Sequence, residues 1–153
     1  MNQDSRDVLL ALLDAGARFL VVGAHAMAVH GVPRATGDLD VWVSPDRANS
    51  ERVWRALLEF GAPVQQLGLS REDLETPGMV IQVGLPPRRI DFLTEATGLV
   101  FEEAWQNRTT HVVDSHEVPF VSRQDLVRNK RALGRPKDLA DLDVLTRRSP
   151  RED

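Results

Sequence analysis

Residues 38–44, DLDVWVS, limit the fold of this chain more than any other stretch. Side chains alternate along a strand, so Leu39, Val41 and Val43 face one way and Asp38, Asp40 and Trp42 the other. The first set fits a core, which points both acids out of it on one side. At roughly 3.3 Å per residue their Cα atoms lie about 6.5–7 Å apart. Carboxylates that close repel, and one tends to hold its proton. A divalent cation removes that conflict, and magnesium in particular favours carboxylate oxygens combined with substrate phosphates. A second strand pattern, RRIDFLT, repeats the logic: Ile90 and Phe92 share a face and Asp91 takes the other. Three acids with one in–out arrangement are candidates for a single site.

The rest of the chain supplies the frame. NQDSRDVLLALLDAGAR has helical spacing at Val8, Leu9, Leu12 and Leu13, with Asp4 or Ser5 as cap and Gly16 near the end. FLVVG reads as a short buried strand that runs through Gly23 into the helix AHAMAVHG, which Gly31 and Pro33 end. PDRANSERVWRALLEFG is a second long helix. Residues 62–78 carry a weak pattern with one helical turn at most, as in a surface connection or flap. MVIQVG and RRIDFLT are strands joined through LPP, and FEEAWQN is a short helix. THVVDSHEVPFVS is a hairpin turning at Asp114–Ser115, with His111 and His116 exposed beside it. Ser122 caps one C-terminal helix and Pro136 opens another. Strands mixed with helices predict an α/β (α+β) domain with a short mixed sheet flanked by helices. One domain over residues 1–148 is expected, with 149–153 as a frayed tail.

Composition narrows the function. The chain has 153 residues, no cysteine and a net charge of −4. Disulfides and thiolate metal sites are excluded, and the surface as a whole is not a nucleic-acid magnet. The N-terminus lacks the pattern of a signal peptide and no apolar run is long enough to span a bilayer, so a cytoplasmic location with no membrane partner is expected. His25 and His30 are five residues apart and do not share a helix face, so they are not a zinc pair. Trp42 follows Asp40 on the same face and is better suited to filling a groove between strand and helix than to stacking on a base. Lys130, Arg131, Arg135 and Lys137 form a local basic cluster, in which Lys130 and then Lys137 would suit phosphate while Arg131 and Arg135 read as solvated. Asp138 and Asp141 read as structural acids near a helix start.

The order strand–Gly23–Ala24–helix, then Arg34, Thr36, Asp38 and Asp40 as R-x-T-x-D-x-D, then Asp91 alone on a later strand, resembles the DNA polymerase beta-like nucleotidyltransferases. It is similar to the minimal bacterial forms of that superfamily, including the AbiEii toxin-like group. NKRALGRPKDLADLDVL also resembles the family's basic helical ending. The resemblance covers roughly residues 19–145 and implies the nucleotidyltransferase fold. It further implies two magnesium ions (manganese as a substitute) on Asp38, Asp40 and Asp91, and an NTP such as ATP along Gly23, Ala24, Arg34, Thr36, Lys130 and Lys137. A hydroxyl would attack the α-phosphorus, with Asp91 as a candidate acceptor of its proton, and pyrophosphate would leave. The acceptor would be a tRNA end, a protein or a small molecule, and a homodimer or partner protein could complete the cleft. Many family members carry Ser after the Gly. Ala24 departs from that, which keeps open an alternative: a catalytically degenerate binding or toxin–antitoxin subunit on the same fold. A metal-dependent phosphohydrolase would want more His and Asp ligands than the chain offers.

Overall fold

The structure is a computed structural model that describes residues 1–33 and 37–147. Among the described residues, six strands form one mixed sheet: β1 (Phe19–Val22), β2 (Leu39–Val43), β3 (Val80–Val83), β4 (Ile90–Leu93), β5 (Thr109–Val113) and β6 (His116–Phe120), in the order β3-β4-β2-β1-β6-β5. Six helices surround it: α1 (Gln3–Asp14), α2 (Gly23–Val29), α3 (Arg47–Phe60), α4 (Phe101–Gln106), α5 (Arg123–Leu133) and α6 (Pro136–Arg147). The mixed α/β architecture matches the expectation.

Connection chemistry sets the topology. β1 and β2 are antiparallel but are joined through α2, not a tight turn. β2 and β4 are parallel, which demands a crossover, and α3 with β3 supplies it. β5 and β6 form the predicted hairpin; Asp114 and Ser115 both have positive φ, 50° and 66°, the sense that matches strand twist in a two-residue turn. α1 begins at an earlier cap than expected: Asn2, not Asp4 or Ser5, accepts the Ser5 N–H. Asp46 and Ser122 cap α3 and α5. Residues 62–78 hold a 3₁₀ turn, Arg71–Glu75, whose Leu74 is fully buried, so part of this connection is anchored to the core.

β1 is buried along its whole length, as a central strand covered on both faces should be. The sequence pattern treats the acid-bearing face of β2 as outward. In the structure that face is covered as well: Trp42 is 2% exposed and packs edge-on against Phe101 of α4, ring centroids 5.0 Å apart. Trp42 therefore fills the groove between strand and helix, and only the Asp40 end of this face opens into a cleft. Two other surface expectations change. His111 packs against the rings of His30 and Phe120, although His116 is exposed. Arg135 is forked onto Asp138 and not simply solvated.

Candidate functional site

The acid pair is built by register. β2 and β4 run in parallel with Asp40 opposite Asp91, so the two carboxylates leave neighbouring strands on the same face. Asp91 is 7% exposed and Asp40 is half-buried. Burial first, and then the adjacent Asp91 charge, push the Asp40 carboxyl up to about 6; Asp38 adds a smaller push and Arg89 opposes it. The carboxyls are close enough for a proton on Asp40 to be shared with Asp91.

Gly23 is part of the same construction. It pairs α2 to the end of β1 with φ +67°, and a Cβ there would stand 2.1 Å from Asp40 Oδ2. A side chain there would have to push the Asp40 carboxylate aside, and the left-handed backbone disfavours one in any case. The sequence suggests glycine here for the approach of a phosphate. The structure adds a nearer reason, which is that Asp40 itself lies against the Gly23 backbone.

Arg89 is the residue the sequence reading missed. Its Nε donates to Asp91 Oδ1 at 2.8 Å and its terminal nitrogen to Asp91 Oδ2 at 3.2 Å, a two-pronged grip. Its main-chain N–H donates to Asp38 Oδ1 at 2.9 Å, and its carbonyl accepts the Leu39 N–H at 2.9 Å. The hydrogen bond to Asp91 holds the guanidinium charged more firmly than usual. Alternation from Asp91 could have found it, because residues 89 and 91 share a face.

The opposite wall comes from α5 and α6. A cleft of about 500 Å³ is lined by Gly23, Ala24, Asp40, Arg89 and Asp91 on the sheet side, and by Lys130, Lys137 and Asp141 on the helix side. Lys130 Nζ lies 3.0 Å from Asp141 Oδ2 and 3.6 Å from Asp138 Oδ1, with 12% of its side chain exposed. Asp138 is fully buried and sits at the third position of α6, where it accepts from the Arg135 side chain and main-chain N–H. Hydrogen bonding by Arg135, with the charge of Lys130 behind it, holds the Asp138 carboxyl below the usual range. Asp138 is thus structural as expected, while Asp141 also faces the cleft. His25, in the first turn of α2, is shifted down chiefly by burial and bonds the Asp38 backbone.

Of the sequence-predicted site residues, Gly23, Ala24, Asp40, Asp91, Lys130 and Lys137 line one cleft. Asp38 adjoins it through Arg89. Arg34 and Thr36 lie outside the described residues. The donor chemistry of Asp38, Asp40 and Asp91 fits a divalent cation: hard carboxylate oxygens, two of them in register and mutually repelling. Among the described residues, however, no group of three or more His, Asp or Glu side chains is arranged to hold a metal ion. The geometry gives the reason: Asp91 is gripped by the Arg89 side chain and Asp38 is turned onto the Arg89 main chain.

No family model and no curated relative matches the sequence. Among solved structures, the chain is similar to an antigenic nucleotidyltransferase-like protein from Paracoccidioides brasiliensis. The two are 16% identical and superpose with a TM-score of 0.50 over 93% of this chain and 74% of that one. The likeness is one of fold, and the chain has a nucleotidyltransferase-like fold.

Proposed function

We propose that the chain is a magnesium-dependent nucleotidyltransferase that moves a nucleoside monophosphate from an NTP such as ATP onto a hydroxyl. The observation that carries this reading is the in-register Asp40–Asp91 pair at the mouth of a cleft whose far wall is basic. Asp38, Asp40 and Asp91 would hold the metal, which when bound supplies charge neutralisation and alignment of the phosphates. Lys130 and Lys137 face the acids across the cleft, where a polyphosphate chain would find compensating charge. Ala24 offers no hydroxyl, so the main chain at Gly23–Ala24 is what this end of the cleft can give to a phosphate. Asp91, the acid the family resemblance points to, would take the proton of the attacking hydroxyl. Most of the acceleration would then come from positioning and electrostatics. The acceptor, whether a tRNA end, a protein or a small molecule, would enter at the open rim, alone or with a second copy or partner protein.

A second reading is favoured by one observation. Arg89 occupies both oxygens of Asp91, which together with Ala24 suits a protein that keeps the fold as a non-catalytic binding or toxin–antitoxin subunit. One experiment separates the two. The protein is incubated with each NTP, magnesium and cell extract, and the products are examined by mass spectrometry. Transfer predicts a nucleoside-monophosphate increment on an acceptor, lost in Asp40→Asn. No increment with any NTP would leave the binding reading in place.

A further inference from the structure

Arg89 is a counter-ion built into the acid cluster. One residue touches two of the three acids, by its side chain to Asp91 and by its main chain to Asp38. Its backbone is fixed by two hydrogen bonds to the start of β2, at Asp38 and Leu39. Arg89 lines the cleft and its side chain is 30% exposed, whereas the Asp91 side chain it grips is 10% exposed. Two consequences follow. A cation that uses the Asp91 oxygens must displace the guanidinium. And a displaced guanidinium, tethered at its backbone, stays in the cleft, where phosphate oxygens match its fork as well as a carboxylate does.

We propose that Arg89 couples the two ligands of the cleft: it shields Asp91 from a metal ion arriving alone and releases the carboxylate when a triphosphate takes up the guanidinium. This deepens the nucleotidyltransferase reading and rests on it. Arg89 is then a metal competitor in the nucleotide-free protein and a phosphate ligand in the loaded one. A residue with only a structural role would weaken both kinds of binding when removed. A coupling residue moves them in opposite directions.

The test uses the full chain without nucleotide, titrated with Mn²⁺ alone and followed by electron paramagnetic resonance. A second titration, by calorimetry, adds tripolyphosphate at saturating Mg²⁺. The proteins are wild type, Arg89→Met, Arg89→Lys and Asp40→Asn. Arg89→Met is expected to bind Mn²⁺ on the order of tenfold more tightly than wild type and magnesium tripolyphosphate on the order of tenfold more weakly. Arg89→Lys keeps the charge without the fork, so both of its values fall between, and it carries the test if Arg89→Met does not fold. Changes of the same sign, or no change in either titration, overturn the coupling. Loss of Mn²⁺ binding in Asp40→Asn with no effect of either Arg89 substitution overturns the coupling and leaves the metal site standing. Mn²⁺ binding by Asp40→Asn equal to wild type removes the metal site, and the coupling falls with it.

Discussion

Asp40→Asn should make the metal-free protein more stable at neutral pH, and the gain should vanish in acid. An ordinary aspartate loses its proton near 3.8, whereas Asp40 in the folded protein holds it up to about 6, through burial and the Asp91 charge. The folded state therefore binds this proton more tightly than the unfolded state. The stability this provides is fully present below the unfolded value of 3.8 and is lost as pH rises through about 6. Above that, ionised Asp40 burdens the fold by about 3 kcal/mol, at roughly 1.36 kcal/mol per pH unit of difference. Asparagine keeps the shape, carries no charge and can still donate to Asp91. Its Tm in EDTA at pH 8 should exceed wild type by up to about 10 °C for a domain of this size. The two melting curves should converge by about pH 4. Thermal melts followed by circular dichroism from pH 4 to 8 measure this directly. A variant no more stable than wild type at pH 8 would refute the reasoning, because it would mean that ionised Asp40 is already compensated in the metal-free fold.

Gly23→Ala should destabilise by about 2 kcal/mol or more, since it adds left-handed strain of roughly 1–2 kcal/mol to a Cβ placed 2.1 Å from Asp40 Oδ2; urea unfolding reads the loss, and an unchanged midpoint would show that Asp40 simply moves aside. Trp42→Ala should cost about 3–5 kcal/mol by emptying the groove against Phe101, while nucleotide affinity in any surviving fold changes little. A selective loss of nucleotide affinity would instead make Trp42 a base contact. Asp138→Asn should lower Tm at neutral pH, because the wild-type carboxyl is held below its usual range. That contribution is present above the unfolded value and lost as pH falls through the lowered folded one, so the two proteins should converge only in strong acid.

Most of the fold is legible because its elements are punctuated locally. Gly16, Gly31, Gly61 and Gly134 close helices with positive φ, and Asp46, Ser122 and Pro136 open them. Period-two alternation marks β2 and β4, and paired turn residues mark the β5–β6 hairpin. What covers a face is less legible. Alternation says which residues share a face but not what covers that face. Trp42 fills a groove as its sequence suggests, but the partner that closes the groove is not local: α4 brings Phe101 over it from 59 positions away in the chain. His111 is covered by His30 in the same way. Such contacts are long-range, and no window of local sequence contains them.

The site divides along the same line. Asp40 and Asp91 are legible as acids that face away from an aliphatic side, but only the parallel register of β2 and β4 sets them opposite each other. Asp138 and Asp141 look like ordinary acids near a helix start. Lys130 gives them a purpose, and it sits on the preceding helix, where α5 and α6 pack together. Gly23 is legible as a glycine that something must approach, and the nearest such group turns out to be Asp40. Arg89 is the telling case, since its position is fully local. It stands two residues from Asp91 on the same face, and a fork of donors at that spacing has a carboxylate within reach. Read as a solvated strand-end charge it says nothing. Read with its neighbour it shows that the acid cluster carries its own cation, so the charge balance of that cluster belongs to four residues: Asp38, Asp40, Asp91 and Arg89. A cation that joins the Asp91 carboxylate must alter the balance among them, because Arg89 already holds both of its oxygens.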